Sequence, residues 1–273
     1  MRNVLTKSQH NFDVEIPGWL DFTKKCEERV QQDRKEFGIK SELMLNPEIC
    51  TKPSYLLLAM EPSGGGRSGV NFFPFFLHYC AYKYLCNGNF KYYITDLSKG
   101  GMSLENASDT QDERYKEWIE LFKEEWELLS KPKIIVMGKI LYNKINHLLS
   151  QITGFKNIPC INHYSGSGSS HIKKIYESIK KEKGEKFTEW HSRKPNAEEL
   201  RKFRDKLREH LDPKRYPETD INVKNHLFIN VKPSKLEETL ETISESNRFA
   251  VYRYKFENEN EQTVAPKGQG ETQ

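Results

Sequence analysis

Three side chains that could act in acid–base or electrostatic catalysis each follow a short apolar run. Glu61 follows residues 56–60, Asp96 closes residues 91–95 and His163 follows residues 158–162, while a further run, 133–137, ends in Gly138. Such continuous apolar runs are typical of strands that are buried on both faces of a parallel sheet. Because the carboxyl ends of parallel strands meet in one crevice, we expect Glu61, Asp96 and His163 to lie near one another.

Three glycines, at positions 64–66, come soon after Glu61. They could allow the backbone to approach a ligand closely, or they could form a flexible turn. A phosphate-binding P-loop is excluded because no Gly-Lys-Ser/Thr follows these glycines. The later pair Gly138-Lys139 lacks the upstream glycine of that motif.

Four segments together form a recognisable set. They are Ala59-Met60-Glu61-Pro62-Ser63, Ser68-Gly69-Val70-Asn71-Phe72, Tyr93-Ile94-Thr95-Asp96 with Lys99 after it, and His163-Tyr164-Ser165. The chain thereby resembles the uracil-DNA glycosylase superfamily over about residues 50 to 183. The corresponding family motifs are Gly-Gln-Asp-Pro-Tyr or Gly-Met-Asn-Pro-Gly, Thr-Gly-Val-Pro-Phe, a strand ending in the Asn that recognises the base, and His-Pro-Ser.

The resemblance implies an α/β fold with three αβα layers around a central, mostly parallel four-stranded sheet. It also implies a DNA glycosylase, which flips a base out of DNA and hydrolyses its glycosidic bond to leave an abasic site. Glu61 would stabilise the oxocarbenium character of the sugar and orient water, and His163 would donate a hydrogen bond to the departing base. The residues expected to bind the base are Asp96, Phe72, Ser63 and Met60. We expect a monofunctional enzyme without metal or cofactor.

Contacts with DNA are expected from the loops that flank the crevice. The residues expected to make them are Gly64, Gly65, Lys99, Tyr164, Ser165, Ser167 and Ser169. Serine and glycine allow backbone and hydroxyl groups to approach phosphates, and a helix that begins near Ser169 would direct its N-terminal amides toward them. Lys99 would meet a phosphate or the substrate, and a Schiff-base role for it is a second possibility.

Each of these roles has a plain structural alternative. Glu61 could be a salt-bridge partner, and His163 could cap a loop. Phe72 belongs to a stretch rich in phenylalanine that could be part of the core, and the Ser/Gly loop could simply be flexible.

Three departures from the family motifs indicate the substrate: Asp at 96 instead of Asn, Ser at 63 instead of Tyr, and Tyr at 164 instead of Pro. An Asn suits uracil, whereas the carboxylate of Asp96 can accept a hydrogen bond from the N4 amino group of cytosine. The small Ser63 leaves room at C5 of the pyrimidine. We therefore expect a C5-modified cytosine, hydroxymethylated or glycosylated as in some phage genomes, and hence a role in antiviral defence.

The composition agrees with this interpretation without establishing it. The net charge is +4, and residues 171–215 hold 15 Lys and Arg against nine Asp and Glu. This surplus favours a phosphate backbone, although a solvated helix face would have the same composition. The five cysteines lack the spacing of an iron–sulphur site and are expected to be free, mostly buried thiols. We expect a soluble monomer, cytoplasmic in a bacterium or nuclear in a eukaryote, because neither a signal peptide nor a membrane span is evident.

The predicted elements divide the chain into a catalytic core (1–183), a small basic α+β extension (184–256) and a disordered tail (257–273). Helices are predicted over residues 17–38, 73–86, 112–130, 171–183, 197–211 and 235–244, and strands in the extension over residues 226–231 and 249–256. Three alternative functions stay open. They are repair of uracil or another deaminated base, DNA binding without catalysis on the same fold, and hydrolysis of a nucleoside or other small molecule.

Overall fold

A computed structural model describes residues 16–38, 41–46, 49–60, 73–102, 111–161, 169–211 and 233–264 of the chain. Its helices are α1 (Trp19–Phe37), α2 (Phe73–Cys80, continued by a π-helical turn Ala81–Leu85), α3 (Gln111–Leu128), α4 (Lys139–Thr153), α5 (Ser169–Lys183), α6 (Phe187–Ser192), α7 (Ala197–His210), α8 (Pro233–Ser244) and α9 (Asn247–Val264). Its strands are β1 (Ser41–Leu43), β2 (Tyr55–Ala59), β3 (Tyr92–Asp96), β4 (Gly100–Met102), β5 (Lys133–Met137) and β6 (Cys160–Ile161).

The main sheet contains four parallel strands in the order β3-β2-β5-β6. This arrangement confirms the predicted parallel sheet and the strands expected to precede Glu61, Asp96, Gly138 and His163. All four strands run in the same direction, so their carboxyl ends lie at one edge of the sheet. The chain is therefore a mixed α/β protein whose sheet is flanked by helices.

Alternate residues of β2, β3 and β5 enter two different hydrophobic clusters. Leu56 and Leu58 of β2 pack with α1, α3 and α4 on one face, whereas Leu57 and Ala59 pack with α2, α7, α8 and α9 on the other. Because both faces are covered, every residue of β2 is buried, which explains its continuous apolar sequence.

Helices α1 and α3 are joined by a buried polar contact. Asp33 of α1 pairs with Arg29 one turn earlier and accepts a hydrogen bond of 2.9 Å from the indole Nε1 of Trp118 in α3. Both oxygens of this buried carboxylate are thereby satisfied, as burial of a charge requires. The contact joins two of the three helices that cover one face of the sheet.

A two-stranded antiparallel ribbon, β1 with β4, was not predicted. Ser41 pairs with Met102 and Leu43 with Gly100, and the Met44 amide then donates to the Lys99 carbonyl at 2.8 Å. A Cβ atom at Gly101 would lie 2.1 Å from the sulphur of Met44. Glycine at 101 therefore leaves the space that the Met44 side chain occupies.

The prediction of a strand over residues 249–256 was wrong, because these residues form part of helix α9. Phe249, Tyr252 and Phe256 enter one hydrophobic cluster while Val251 enters another. Burial on two sides of the helix hides the periodicity of 3.6 that usually indicates a helix. The tail that composition predicted to be disordered from residue 257 is helical as far as Val264. The other predicted strand, 226–231, lies outside the described residues.

Candidate active site

Asp96 is the last residue of β3 and lies directly beside Ala59, the last residue of β2. The residue is only 3% exposed. Beyond the two strands, the Leu97 amide donates to the Ala59 carbonyl and the Ser98 amide donates to the Met60 carbonyl. The segments that follow β2 and β3 thus stay hydrogen-bonded beyond the sheet. Met60, one residue before Glu61, therefore lies next to the turn that follows Asp96.

Asn46, which was not predicted as a site residue, contacts this carboxylate. Its amide Nδ2 donates to Oδ2 of Asp96 at 2.8 Å, although 50 residues separate the two in the chain. The ribbon brings Asn46 there. No motif or periodicity marks Asn46, since it follows a strand of three residues.

Lys99 does not face a phosphate or a substrate, so its predicted role was wrong. The side chain is 2% exposed, and Nζ lies 2.7 Å from Oε2 of Glu125 in α3. The same ammonium donates to Oγ1 of Thr95 and to the carbonyl oxygen of Asp96, both at 2.5 Å. An ammonium has three hydrogen-bond donors, and these three partners account for them. The arrangement argues against a Schiff-base role as well.

The buried ion pair forms part of a closed network behind Asp96. Thr95 donates to Oε1 of Glu125 at 2.8 Å while Lys99 holds the other carboxylate oxygen. Such a network is stable in the core only when each member is satisfied. It anchors the main chain of Asp96 to helix α3. Glu125 is therefore a positioning residue that could have been identified, because it shares the buried stripe of Trp118, Phe122 and Leu129.

Cys26 of α1 lies close enough to Lys99 and Glu125 for both charges to affect its thiol electrostatically. Burial raises the pKa of the Cys26 thiol well above its ordinary value, with smaller opposing influences from Lys99 and Glu125. All five cysteines are free thiols: Cys26, Cys80 and Cys86 are buried, and Cys50 and Cys160 are half-buried. A buried neutral thiol is unreactive, so Cys26 serves as packing rather than as a nucleophile.

The strands that precede the other predicted catalytic residues end at the same edge as β3. Strand β5 lies between β2 and β6, so the ends of β2 and β6 are about 10 Å apart, which is two strand spacings. Gly138 follows β5 with a φ of 104°, and its amide donates to the Ile161 carbonyl at 2.8 Å. This φ favours glycine and lets the chain turn at once into helix α4.

Most of the predicted site lies outside the described residues. These residues are Glu61, Ser63, Gly64, Gly65, Phe72, His163, Tyr164, Ser165 and Ser167. Of the remainder, Met60 and Asp96 meet at the strand ends, and Ser169 is the first residue of α5, as predicted for a helix start near it. Lys99 is beside them but buried.

Helices α5 and α7, both in the basic region 171–215, differ in how their basic residues are paired. On α7, Arg201 pairs with Glu237, and Lys202 pairs with Glu198. On α5, the exposed Lys173, Lys174, Lys180 and Lys181 form no ion pair with any residue that the structure describes. Helix α5 contains five lysines against two glutamates, whereas α7 contains five Lys and Arg against four Asp and Glu, so α5 has the larger surplus of positive charge.

Two features are absent from the described segments. Among their side chains, no three His, Cys, Asp or Glu residues are grouped so that they could hold a metal ion. None of the helices in these segments combines the length and apolar character needed to cross a bilayer.

No known family model matches the sequence, and no curated protein matches it either.

Proposed function

We propose that the protein is a monofunctional DNA glycosylase with a three-layer αβα core that excises a flipped, C5-modified cytosine. The observation that carries the proposal is the position of Asp96. It is a buried carboxylate at the carboxyl edge of a parallel sheet, adjacent to the chain that leads through Met60 to Glu61. Open parallel sheets bind their ligands at this edge.

The chemistry of Asp96 favours a base that offers a hydrogen-bond donor. A carboxylate accepts hydrogen bonds, as Asp96 does from Asn46. Cytosine presents its N4 amino group at the position where uracil presents the O4 acceptor. A buried acceptor therefore suits cytosine and disfavours uracil, because O4 and the carboxylate would be left facing each other without a proton.

Glu61 and His163 complete the proposed reaction. Water attacks C1′ of the sugar, the bond from C1′ to the base nitrogen breaks, and the bond's electron pair leaves with the base. Glu61 stabilises the positive charge that develops on the sugar and accepts a proton from the water, while His163 donates a hydrogen bond to the base oxygen that becomes negative. The strands that precede these two residues end about 10 Å apart, a separation that one nucleotide can span.

The size of the residue at position 63 favours a modified base. Serine and the three glycines that follow it are small and would leave space next to the C5 position of the base. Removal of ordinary cytosine would damage the host's own DNA, so the proposal requires that a C5 substituent be recognised. Hydroxymethylated or glycosylated cytosine satisfies this requirement and would give the protein a role in defence against phages.

The test is base release from a panel of DNAs. Duplex and single-stranded oligonucleotides with cytosine, 5-hydroxymethylcytosine, glucosylated hydroxymethylcytosine or uracil are incubated with the protein and treated with alkali, which cleaves abasic sites. Cleavage confined to the modified cytosines supports the proposal. Cleavage at uracil alone favours a repair enzyme, and salt-sensitive binding without cleavage favours a DNA-binding module.

A further inference from the structure

The carboxylate of Asp96 is not the only polar group at the end of β3. Asn46 is half-buried and lies 2.8 Å from it through the amide nitrogen. Since a carboxylate only accepts hydrogen bonds, the NH₂ group of Asn46 must be the part that faces Asp96. That group has a second hydrogen, which the contact with Oδ2 does not use.

The two hydrogen-bonded side chains therefore present one acceptor, from Asp96, and one donor, from Asn46, next to each other. The Watson–Crick edge of cytosine offers the opposite set, with a donor at N4 and an acceptor at N3. Asp96 alone could satisfy N4 but would leave N3 without a proton unless the carboxyl group or the base were protonated. An amide N–H from Asn46 removes this requirement.

We propose that Asn46 is a specificity-determining residue that donates to N3 of the flipped base while Asp96 accepts from N4. The inference rests on the proposed function and extends it by assigning a second residue to base recognition. With Asp96 facing position 4, uracil is rejected twice, because its O4 meets an acceptor and its N3–H meets a donor.

The ribbon gives this pair a defined geometry. The Met44 amide donates to the Lys99 carbonyl, and Lys99 donates to the Asp96 carbonyl, so both members are tied to the same turn. Two groups that recognise one base edge must keep their relative positions to within roughly 0.5 Å, and anchoring to the same turn favours this. Asn46 therefore follows directly on a hydrogen-bonded ribbon that is attached to the same turn as Asp96.

The test separates recognition from catalysis. Oligonucleotides carry one 2′-fluoro-arabino nucleotide with cytosine, 5-hydroxymethylcytosine or uracil, since the fluorine slows glycosidic cleavage and leaves the base edge intact. Binding is measured for the native protein, Asn46→Asp, Asn46→Ser and the exposed control Asn143→Asp on α4. The preference for a cytosine edge over uracil should fall roughly 10- to 100-fold in both Asn46 variants and stay unchanged in the control.

A reversed pair provides the sharper measurement. Asn46→Asp with Asp96→Asn restores the hydrogen bond but exchanges donor and acceptor, so the double variant should prefer uracil more strongly than Asp96→Asn alone. Equal preference in these two variants, or an unchanged preference in folded Asn46→Asp and Asn46→Ser, would show that Asn46 only supports Asp96 and would overturn the inference. If the native protein binds none of the analogues and releases no base, the proposed function itself fails and the inference fails with it.

Discussion

The ammonium of Lys99 lies 2.7 Å from the carboxylate of Glu125, and both side chains are at most 2% exposed. The pair joins the turn after β3 to helix α3. The pair contributes to stability only when both members are present, because a single charge left in the core has lost its hydration and has no partner to compensate.

Lys99→Met should therefore lower the free energy of unfolding by about 3 to 5 kcal/mol, as removal of one member of a buried pair does elsewhere. Lys99→Met with Glu125→Leu should recover most of this loss, because no charge remains buried. Urea denaturation measures both. The exposed pair of Lys25 with Glu124, next to Glu125 on the same helix, is the control, and Lys25→Met should have little effect. If the double variant is no more stable than Lys99→Met, the pair does not act as a unit.

Glu61→Gln and His163→Ala should each lower the rate of base release by about 10²-fold or more while DNA binding persists. Both groups are proposed to act on charges that exist only in the transition state, so their loss affects the rate rather than affinity. Single-turnover kinetics and fluorescence anisotropy measure the two properties separately. Full activity in both variants would remove these residues from the mechanism.

Ser63→Tyr should block bulky C5 substituents selectively. A tyrosine at this position would place a bulky ring where the proposed pocket leaves room for the C5 substituent, so release of glucosylated hydroxymethylcytosine should fall more than release of hydroxymethylcytosine. Ser63→Ala is the matched control and should leave both rates similar. An equal loss for both substrates in Ser63→Tyr would indicate general damage to the pocket.

Charge removal on α5 should weaken DNA binding more than charge removal on α7. Lys173→Gln with Lys174→Gln should reduce the slope of log K against log salt by about one for each phosphate that the protein no longer neutralises. Arg201→Gln with Lys202→Gln removes the same charge from cations that already have carboxylate partners, and should change the slope little. Equal effects of the two double variants would mean that only net charge matters.

Stability should decline as the pH rises above about 9. Burial raises the pKa of the Cys86 thiol to about 12 and raises the pKa values of Cys80, Tyr84 and Tyr92 above their ordinary range. In the unfolded chain these groups lose protons from about pH 8.5 to 10, so the unfolded state binds fewer protons and is favoured as the pH rises. Urea midpoints between about pH 7.5 and 10.5 measure the trend. Cys80→Ala should make the urea midpoint fall less steeply with pH. A midpoint that stays constant over this range would contradict the prediction.

The sequence predicts the parallel strands well because burial on both faces leaves continuous apolar runs, as in Leu56 to Leu58. It also places Asp96 correctly at a strand end. It fails for Asn46, whose ribbon strand is too short for any periodicity. Lys99, beside two glycines, has the sequence context of an exposed loop, and only its partner on α3 shows that it is buried. In α9, apolar residues lie on two sides of the helix, and the resulting sequence pattern resembles the alternation of a strand.

The rings of Phe76 and Phe249 lie 4.3 Å apart at their centres, although they come from the first and last thirds of the chain. During synthesis, Phe76 leaves the ribosome long before Phe249 has been added. Until then, the surface of α2 that α9 will cover is open to water and to other chains. Folding must therefore finish after most of the protein has been made, and a nascent chain halted before residue 249 would expose an apolar surface of the kind that chaperones bind.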